Sequence, residues 1–171
     1  MPFVLESKFF VDKDLSLFDS KDVLKNSKKI SDFKEFGIFV HYEPISSIYE
    51  NYISAFLKRS LIGVCEFWFE RIEKFKIPRI KNIVIKKEYR SKGIATEFYS
   101  ILFKKFKALI SDCTLNGDSE NPGSLGLWKK LIKKHRHCIY NIRTQKIETY
   151  SYWKAFRSRD SNRRSLMIME K

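Results

Sequence analysis

Apolar residues along this chain fall into two different rhythms. The segments FGIFVHYE and YISAFLKRS are rich in Phe, Ile, Val and Tyr and read as strands. In LIGVCEFWFE the strand-like enrichment is stronger, and Ile62, Val64, Glu66, Trp68 and Glu70 share one strand face. The next segment, PRIKNIVIKKEYR, begins after Pro78 and reads as a buried strand around Ile80 to Ile85. Beyond the turn RSKGIA the period lengthens. TEFYSILFKKFKAL sets Phe98, Ile101, Leu102, Lys105 and Phe106 at helical spacing, predicting an amphipathic helix with a lysine-rich outer side. ALISDCTL then reads as a short strand, PGSLGLWKKLIKKH as a helix opening on Pro122, and HCIYNI and RSLMIME as two closing strands. Upstream of all these, SKDVLKNSKKISDFKEFG carries apolar residues at helical intervals and predicts one or two short polar helices ending near Gly37.

Strands followed by β–helix–β–helix–β–β imply an α/β fold. A strand, a helix and a second strand in one sheet call for a right-handed crossover, so a mixed sheet with helices on its faces is expected. At 171 residues the chain suits one domain spanning 1–171. A composition that is 43% hydrophobic, with 15 Phe, 8 Tyr and 3 Trp, demands a packed interior and excludes a disordered chain. There is no internal repeat and no low-complexity tract.

Charge narrows the partners. The formal charge is +14, from 34 Lys and Arg against 20 Asp and Glu, so the protein's field gathers anions. Nucleic acid is one anionic partner this charge makes possible; a solvated lysine-rich face is the plainer reading. Cys65, Cys113 and Cys138 show neither CxxC spacing nor an even count, which fits a reducing compartment. The opening MPFVLESKFFVDKD lacks the apolar run of a signal peptide, and nowhere do about 18 apolar residues follow one another. A cytoplasmic protein that engages no membrane is expected.

The most specific chemistry lies where a strand runs through a turn into a helix. The first N–H groups of a helix have no intrahelical acceptor and sit at the positive end of the helix dipole, which makes an anion site. Here that turn is Arg90-Ser91-Lys92-Gly93-Ile94-Ala95-Thr96. Gly93 permits close backbone approach, Ala95 is too small to block it, and Arg90 and Lys92 add charge. A pyrophosphate fits this description; an ordinary β-to-α turn that uses Gly for its torsion angles is the alternative.

The run from Ile83 to Ala95, IVIKKEYRSKGIA, resembles the coenzyme A motif of the GCN5-related N-acetyltransferase (GNAT) family, in which L-x-V-x-P-x-Y leads into R/Q-x-x-G-x-G/A. Ile83, Ile85, Tyr89, Arg90, Gly93 and Ala95 match it, and Lys87 departs where Pro is common. A second run, Asn121 to Leu131 (NPGSLGLWKKL), resembles the family's N-P-x-A-x-x-L-Y-x-K-L helix. The resemblance covers roughly residues 62–135. LISDCTL and the GLWKKL that follows also look like small phage-encoded members of the family, some of which modify host defence proteins.

The resemblance implies a mixed, largely antiparallel sheet with a splayed parallel pair, flanked by helices, and acetyl-CoA as cosubstrate. It assigns coenzyme contacts to Ile83, Val84, Ile85, Arg90, Ser91, Lys92, Gly93, Ile94, Ala95, Thr96, Asn121, Ser124 and Trp128. The pantetheine arm would lie between strands at Lys81 to Ile85 and Ala108 to Cys113, with an N–H near Val84 or Ile85 polarising the thioester carbonyl. An acceptor amine would attack the thioester directly, so Cys113 reads as packing rather than as a nucleophile.

Proton transfer is less determined. Trp128 stands where the family often places a Tyr that protonates the departing thiolate, and an indole N–H is no usable acid. Trp128 is therefore read as packing or as a wall of the coenzyme channel. Arg79, Lys81 and Asn82 occupy the strand on which some relatives carry a Glu base. The candidate bases are Glu66, Glu70 and Asp112, with solvent or substrate as alternatives. Tyr140, Tyr150 and Tyr152 are further candidate acids. His135-Arg136-His137-Cys138 lacks a second ligand cluster, so no metal site is expected. RSRDSNRR reads as a solvated turn, or as part of a basic substrate groove.

The reading is thus an N-acetyltransferase acting on an amine of a protein or a small molecule, with a protein favoured of the two. The alternatives are an enzyme acting on nucleic acid or aminoacyl-RNA, and an acyl-CoA-binding protein of the same fold without catalysis.

Overall fold

A computed structural model describes residues 15, 18–42, 51–111, 122–148 and 164–170. The helices are α1 (Ser20–Asn26), α2 (Ile94–Phe106) and α3 (Pro122–Lys134). The strands are β1 (Lys28–Phe33), β2 (Phe36–His41), β3 (Asn51–Leu57), β4 (Ser60–Ile72), β5 (Phe75–Ile85), β6 (Ala108–Ile110), β7 (Arg136–Asn141), β8 (Lys146–Glu148) and β9 (Arg164–Met169). The chain divides into two compact units, Met1–Trp68 with Asn82–Tyr99, and Phe69–Lys81 with Ser100–Lys171. β4, β5 and α2 each contribute to both.

In the first unit β1, β2, β3 and β4 pair antiparallel in chain order, with β5 following β4. β2 alternates cleanly, burying Phe36, Ile38 and Val40. From Leu61 to Phe67, β4 is buried on both faces, and Glu66 is the one charged residue in this stretch. Its pairing passes from Ala55↔Gly63 to Phe56↔Leu61, which leaves Ile62 as the extra residue of a bulge. Leu15, Val23, Phe56, Leu61 and Val64 form a core cluster here. Each such large side chain withdrawn from water contributes about 1.5–3 kcal/mol.

In the second unit the order is the C-terminal part of β4, the N-terminal part of β5, then β6, β9, β7 and β8. β5 and β6 are parallel with Arg79 opposite Ile110, and the pairs β6/β9, β9/β7 and β7/β8 are antiparallel. A parallel pair requires a crossover, and α2 supplies it. Ile77, Ala108, Ile110, Tyr140 and Met167 form the core cluster of this unit. The structure is therefore a mixed α/β fold with a largely antiparallel sheet, one parallel pair and helices.

The segment before Gly37 departs from the sequence reading. Only Ser20–Asn26 is helical, capped by Asp19 accepting from Lys21 N at 2.7 Å and Asp22 N at 3.3 Å. Lys28–Phe33 is a strand, turned into β2 by Lys34 (φ 55°) and Glu35. As a mostly exposed strand it carries little apolar alternation, so period-2 evidence was weak there. β5 begins at Phe75 rather than after Pro78, and residues 81–85 are half-buried rather than buried. The short β8 had no counterpart in the sequence reading.

Candidate active site

β5 ends at Ile85, and Lys86 N donates to Ile62 O at 2.9 Å. A single 3-10 turn, Lys87–Tyr89, follows, closed by Tyr89 N to Lys86 O at 2.9 Å. Arg90 Nε donates to Ile85 O at 3.0 Å, so the guanidinium braces the loop as well as charging it. Ser91 has φ 62° and Gly93 φ 90°, both in the left-handed region. Glu97 N to Gly93 O, 3.0 Å, is the first bond of α2's ladder. The N–H groups of Ile94, Ala95 and Thr96 consequently have no acceptor within the helix.

The β1–β2 turn buttresses this loop. Lys34 Nζ donates to Lys92 O at 2.7 Å, the Tyr89 ring meets Phe36 edge-on at 5.8 Å, and Lys92 Nζ lies 5.0 Å over Tyr89. A Cβ added to Gly93 would lie 3.4 Å from Phe33, so space admits a small side chain there while the backbone angle does not favour one. The local chemistry suits a diphosphate: fixed N–H donors at a helix start, one glycine, and a preceding loop that carries Lys86, Lys87, Arg90 and Lys92.

Behind the turn, Gly63 lets β4 approach β5. A Cβ there would come within 3.1 Å of Ile85 Cγ1 and 3.2 Å of Val84 O. The sequence reading did not single out Gly63; a lone Gly inside a strand run was the available signal. Glu66, 2% exposed, accepts from Asn82 Nδ2 at 3.4 Å. This joins a candidate base to a β5 residue named only as standing where relatives carry a Glu.

Glu70 lies in a different setting. Arg79 Nε is 2.8 Å from its Oε1, and the Tyr140 hydroxyl donates to Oε2 at 3.3 Å. The fully buried Tyr140 has its pKa pushed up to about 12, first by burial and then by the Glu70 carboxylate. This gives Tyr140 the geometry the sequence lacked, and it is that of a hydroxyl holding its proton. Cys138, likewise raised by burial, stands at about 11 despite Arg136. Trp128 is 2% exposed. Asp112, Cys113, Asn121, Tyr150, Tyr152 and nearly all of RSRDSNRR lie outside the described residues, as does the side chain of Ser124. Among the described residues no group of three or more His, Cys, Asp or Glu could hold a metal, and no helix is long and apolar enough to cross a membrane.

The acetyltransferase (GNAT) family matches residues 24–132, which include the turn Arg90–Thr96 and most of α3. The chain belongs to that family. Its members use acetyl-CoA as the acyl donor. A sequence comparison with curated proteins gave no match. Among solved structures, the chain is similar to an acetyltransferase of the GNAT family from Streptococcus pneumoniae, with 18% identity and a TM-score of 0.36, over 50% of this chain and 52% of that one. It is also similar to Ard1 from Thermoplasma volcanium, with 9% identity and a TM-score of 0.42, over 70% of each chain. A third is the ribosomal-protein-S18-alanine N-acetyltransferase from Escherichia coli, with 12% identity and a TM-score of 0.39, over 76% of this chain and 78% of that one. The chain thus spans about half the length of the first of these structures.

Proposed function

We propose that the protein is an N-acetyltransferase that moves the acetyl group of acetyl-CoA directly to an amine, on a protein acceptor rather than a small molecule. The observation that carries this reading is the turn Arg90–Thr96, where positive φ at Ser91 and Gly93 leads into the open N–H groups of α2. These donors bind the pyrophosphate, and the backbone of Ile83, Val84 and Ile85 takes the pantetheine. An N–H near Val84 or Ile85 stabilises the oxyanion that forms at the thioester carbonyl.

In the reaction the amine nitrogen forms a bond to the acetyl carbon, the carbon–sulfur bond breaks, and the amine loses a proton while the thiolate gains one. Glu66 is the base this reading favours, because its carboxylate meets β5 through Asn82, whereas both oxygens of Glu70 are engaged by Arg79 and Tyr140. Direct attack is supported by the described thiols: Cys65 is buried, and Cys138 holds its proton far above neutral pH.

A second reading is favoured by one residue. Trp128 is buried where the family often carries a tyrosine acid, which suits a protein that binds acetyl-CoA without turning it over. Incubation with acetyl-CoA and an amine-bearing peptide library, followed by mass spectrometry, separates the two. The proposal expects peptides heavier by one acetyl group with stoichiometric release of free coenzyme A. Coenzyme binding without acetylated product would favour the second reading.

A further inference from the structure

Charge is divided unevenly between the two units. Met1–Trp68 with Asn82–Tyr99 carries 13 Lys and Arg against 12 Asp and Glu, whereas Phe69–Lys81 with Ser100–Lys171 carries 21 against 8. Nearly the whole +14 belongs to the second unit, and such asymmetry within one chain points to a polyanionic partner.

Within that unit α3 carries a cluster of the described cations. Pro122–Lys134 contains no acidic residue, and Lys129, Lys130, Lys133 and Lys134 are exposed on one side of α3, while Trp128 is buried and Leu131 and Ile132 are half-buried. Lys129 and Lys133, like Lys130 and Lys134, stand four residues apart, where like charges repel. The helix dipole accounts for Lys133 and Lys134 in the last turn but not for Lys129 and Lys130 further back. Among the described residues no carboxylate pairs with these four or with Arg136. The stripe runs into an open hollow of about 530 Å³ lined by Ile132, Lys133, Lys134, His135, Arg136 and His137.

Aromatic rings continue the row. His135 lies 4.3 Å from the ring of Phe103, one turn before Phe106 on α2, and Phe106 meets Phe69 edge-on at 5.1 Å. Lys76 Nζ stands 4.0 Å over Phe69, and Lys105 Nζ 5.6 Å over Phe106. On the same β-strand as Lys76, Phe75 is 55% exposed beneath Lys74, whose Nζ lies 5.5 Å from the ring.

From this juxtaposition we infer that this face of the second unit binds a nucleic-acid strand through its phosphates, with the rings beside the cations facing bases. Cations interleaved with aromatic planes match a polymer that alternates phosphates with flat bases. An acidic polypeptide offers carboxylates without such planes. The stripe is built from lysines with one arginine, and lysine ammonium groups are point charges with little directional demand, so binding tolerates sequence. The inference rests on no assumption about the acetyl acceptor.

Fluorescence anisotropy of labelled single-stranded RNA and DNA oligonucleotides, titrated with the full chain over a salt series, tests it. Affinity should fall linearly with salt on logarithmic axes. The triple variant Lys133→Glu, Lys134→Glu, Arg136→Glu should weaken binding at least tenfold and flatten the slope by about 2, since each lost phosphate contact removes about 0.7. Acetyl-CoA affinity, measured on the same samples, should not change. Should the Glu variant fail to fold, the corresponding Gln variant must show the same direction. Absence of oligonucleotide binding at low salt, or binding indifferent to both variants, overturns the inference. A polyglutamate peptide bound as tightly as an oligonucleotide of equal charge also overturns it, assigning the face to an acidic protein.

Discussion

Arg79 Nε stands 2.8 Å from Glu70 Oε1, both side chains largely withdrawn from solvent. The pair holds β4 to β5 in the second unit, and the Tyr140 hydroxyl takes the remaining oxygen. Removing the carboxylate's charge would leave a guanidinium without its counter-charge. Breaking a buried pair from one side costs about 3–5 kcal/mol. Glu70→Gln should therefore lower the melting temperature markedly while leaving turnover per folded molecule and coenzyme affinity intact. A loss of turnover in a variant of unchanged melting temperature would return Glu70 to the list of bases.

Glu66→Gln should do the opposite. The amide keeps the volume and can keep a contact with Asn82, but it cannot accept a proton. General-base catalysis is typically worth about 10²- to 10⁴-fold, so turnover should drop at least by the lower figure at normal acetyl-CoA affinity. Full turnover would remove Glu66 as the base and leave Asp112, solvent or the substrate itself.

Tyr140 adds a dependence on alkaline pH. Its pKa rises from the ordinary 10.0 to about 12 in the fold, so between those values the folded state keeps a proton that the unfolded state has lost. The stability this contributes is complete below about pH 10 and disappears as pH climbs toward 12. Thermal melts across that window should show Tyr140→Phe losing less stability with rising pH than the parent. Parallel curves for the two proteins would contradict the assignment.

Where the chain spoke clearly, burial made the period visible. Phe36, Ile38 and Val40 alternate because one face of β2 is buried, and Phe98 with Leu102 marks the inner stripe of α2. The strand-to-helix turn was legible because Gly93, at φ 90°, lies just before the first residue of α2. β1 was not, since exposed Lys28, Lys29 and Ile30 leave no alternation to read. The different surroundings of Glu66 and Glu70 were equally hidden. Both lie on one strand with two residues' spacing between successive same-face positions, and only the positions of Asn82, Arg79 and Tyr140 tell them apart. Those partners are distant in sequence, and nothing local announces them.

Binding of acetyl-CoA at the turn is tested most directly by isothermal titration of the parent protein and of Gly93→Glu. With φ at 90°, Gly93 occupies a conformation other residues adopt at a cost, so circular dichroism must first show the variant folded. The substitution puts a side chain and a negative charge at the proposed pyrophosphate site. Arg90→Ala, titrated alongside, should weaken binding less because the backbone donors of α2 remain. A parent that binds acetyl-CoA and a folded Gly93→Glu that does not is the predicted result; equal affinity in the two proteins would contradict it.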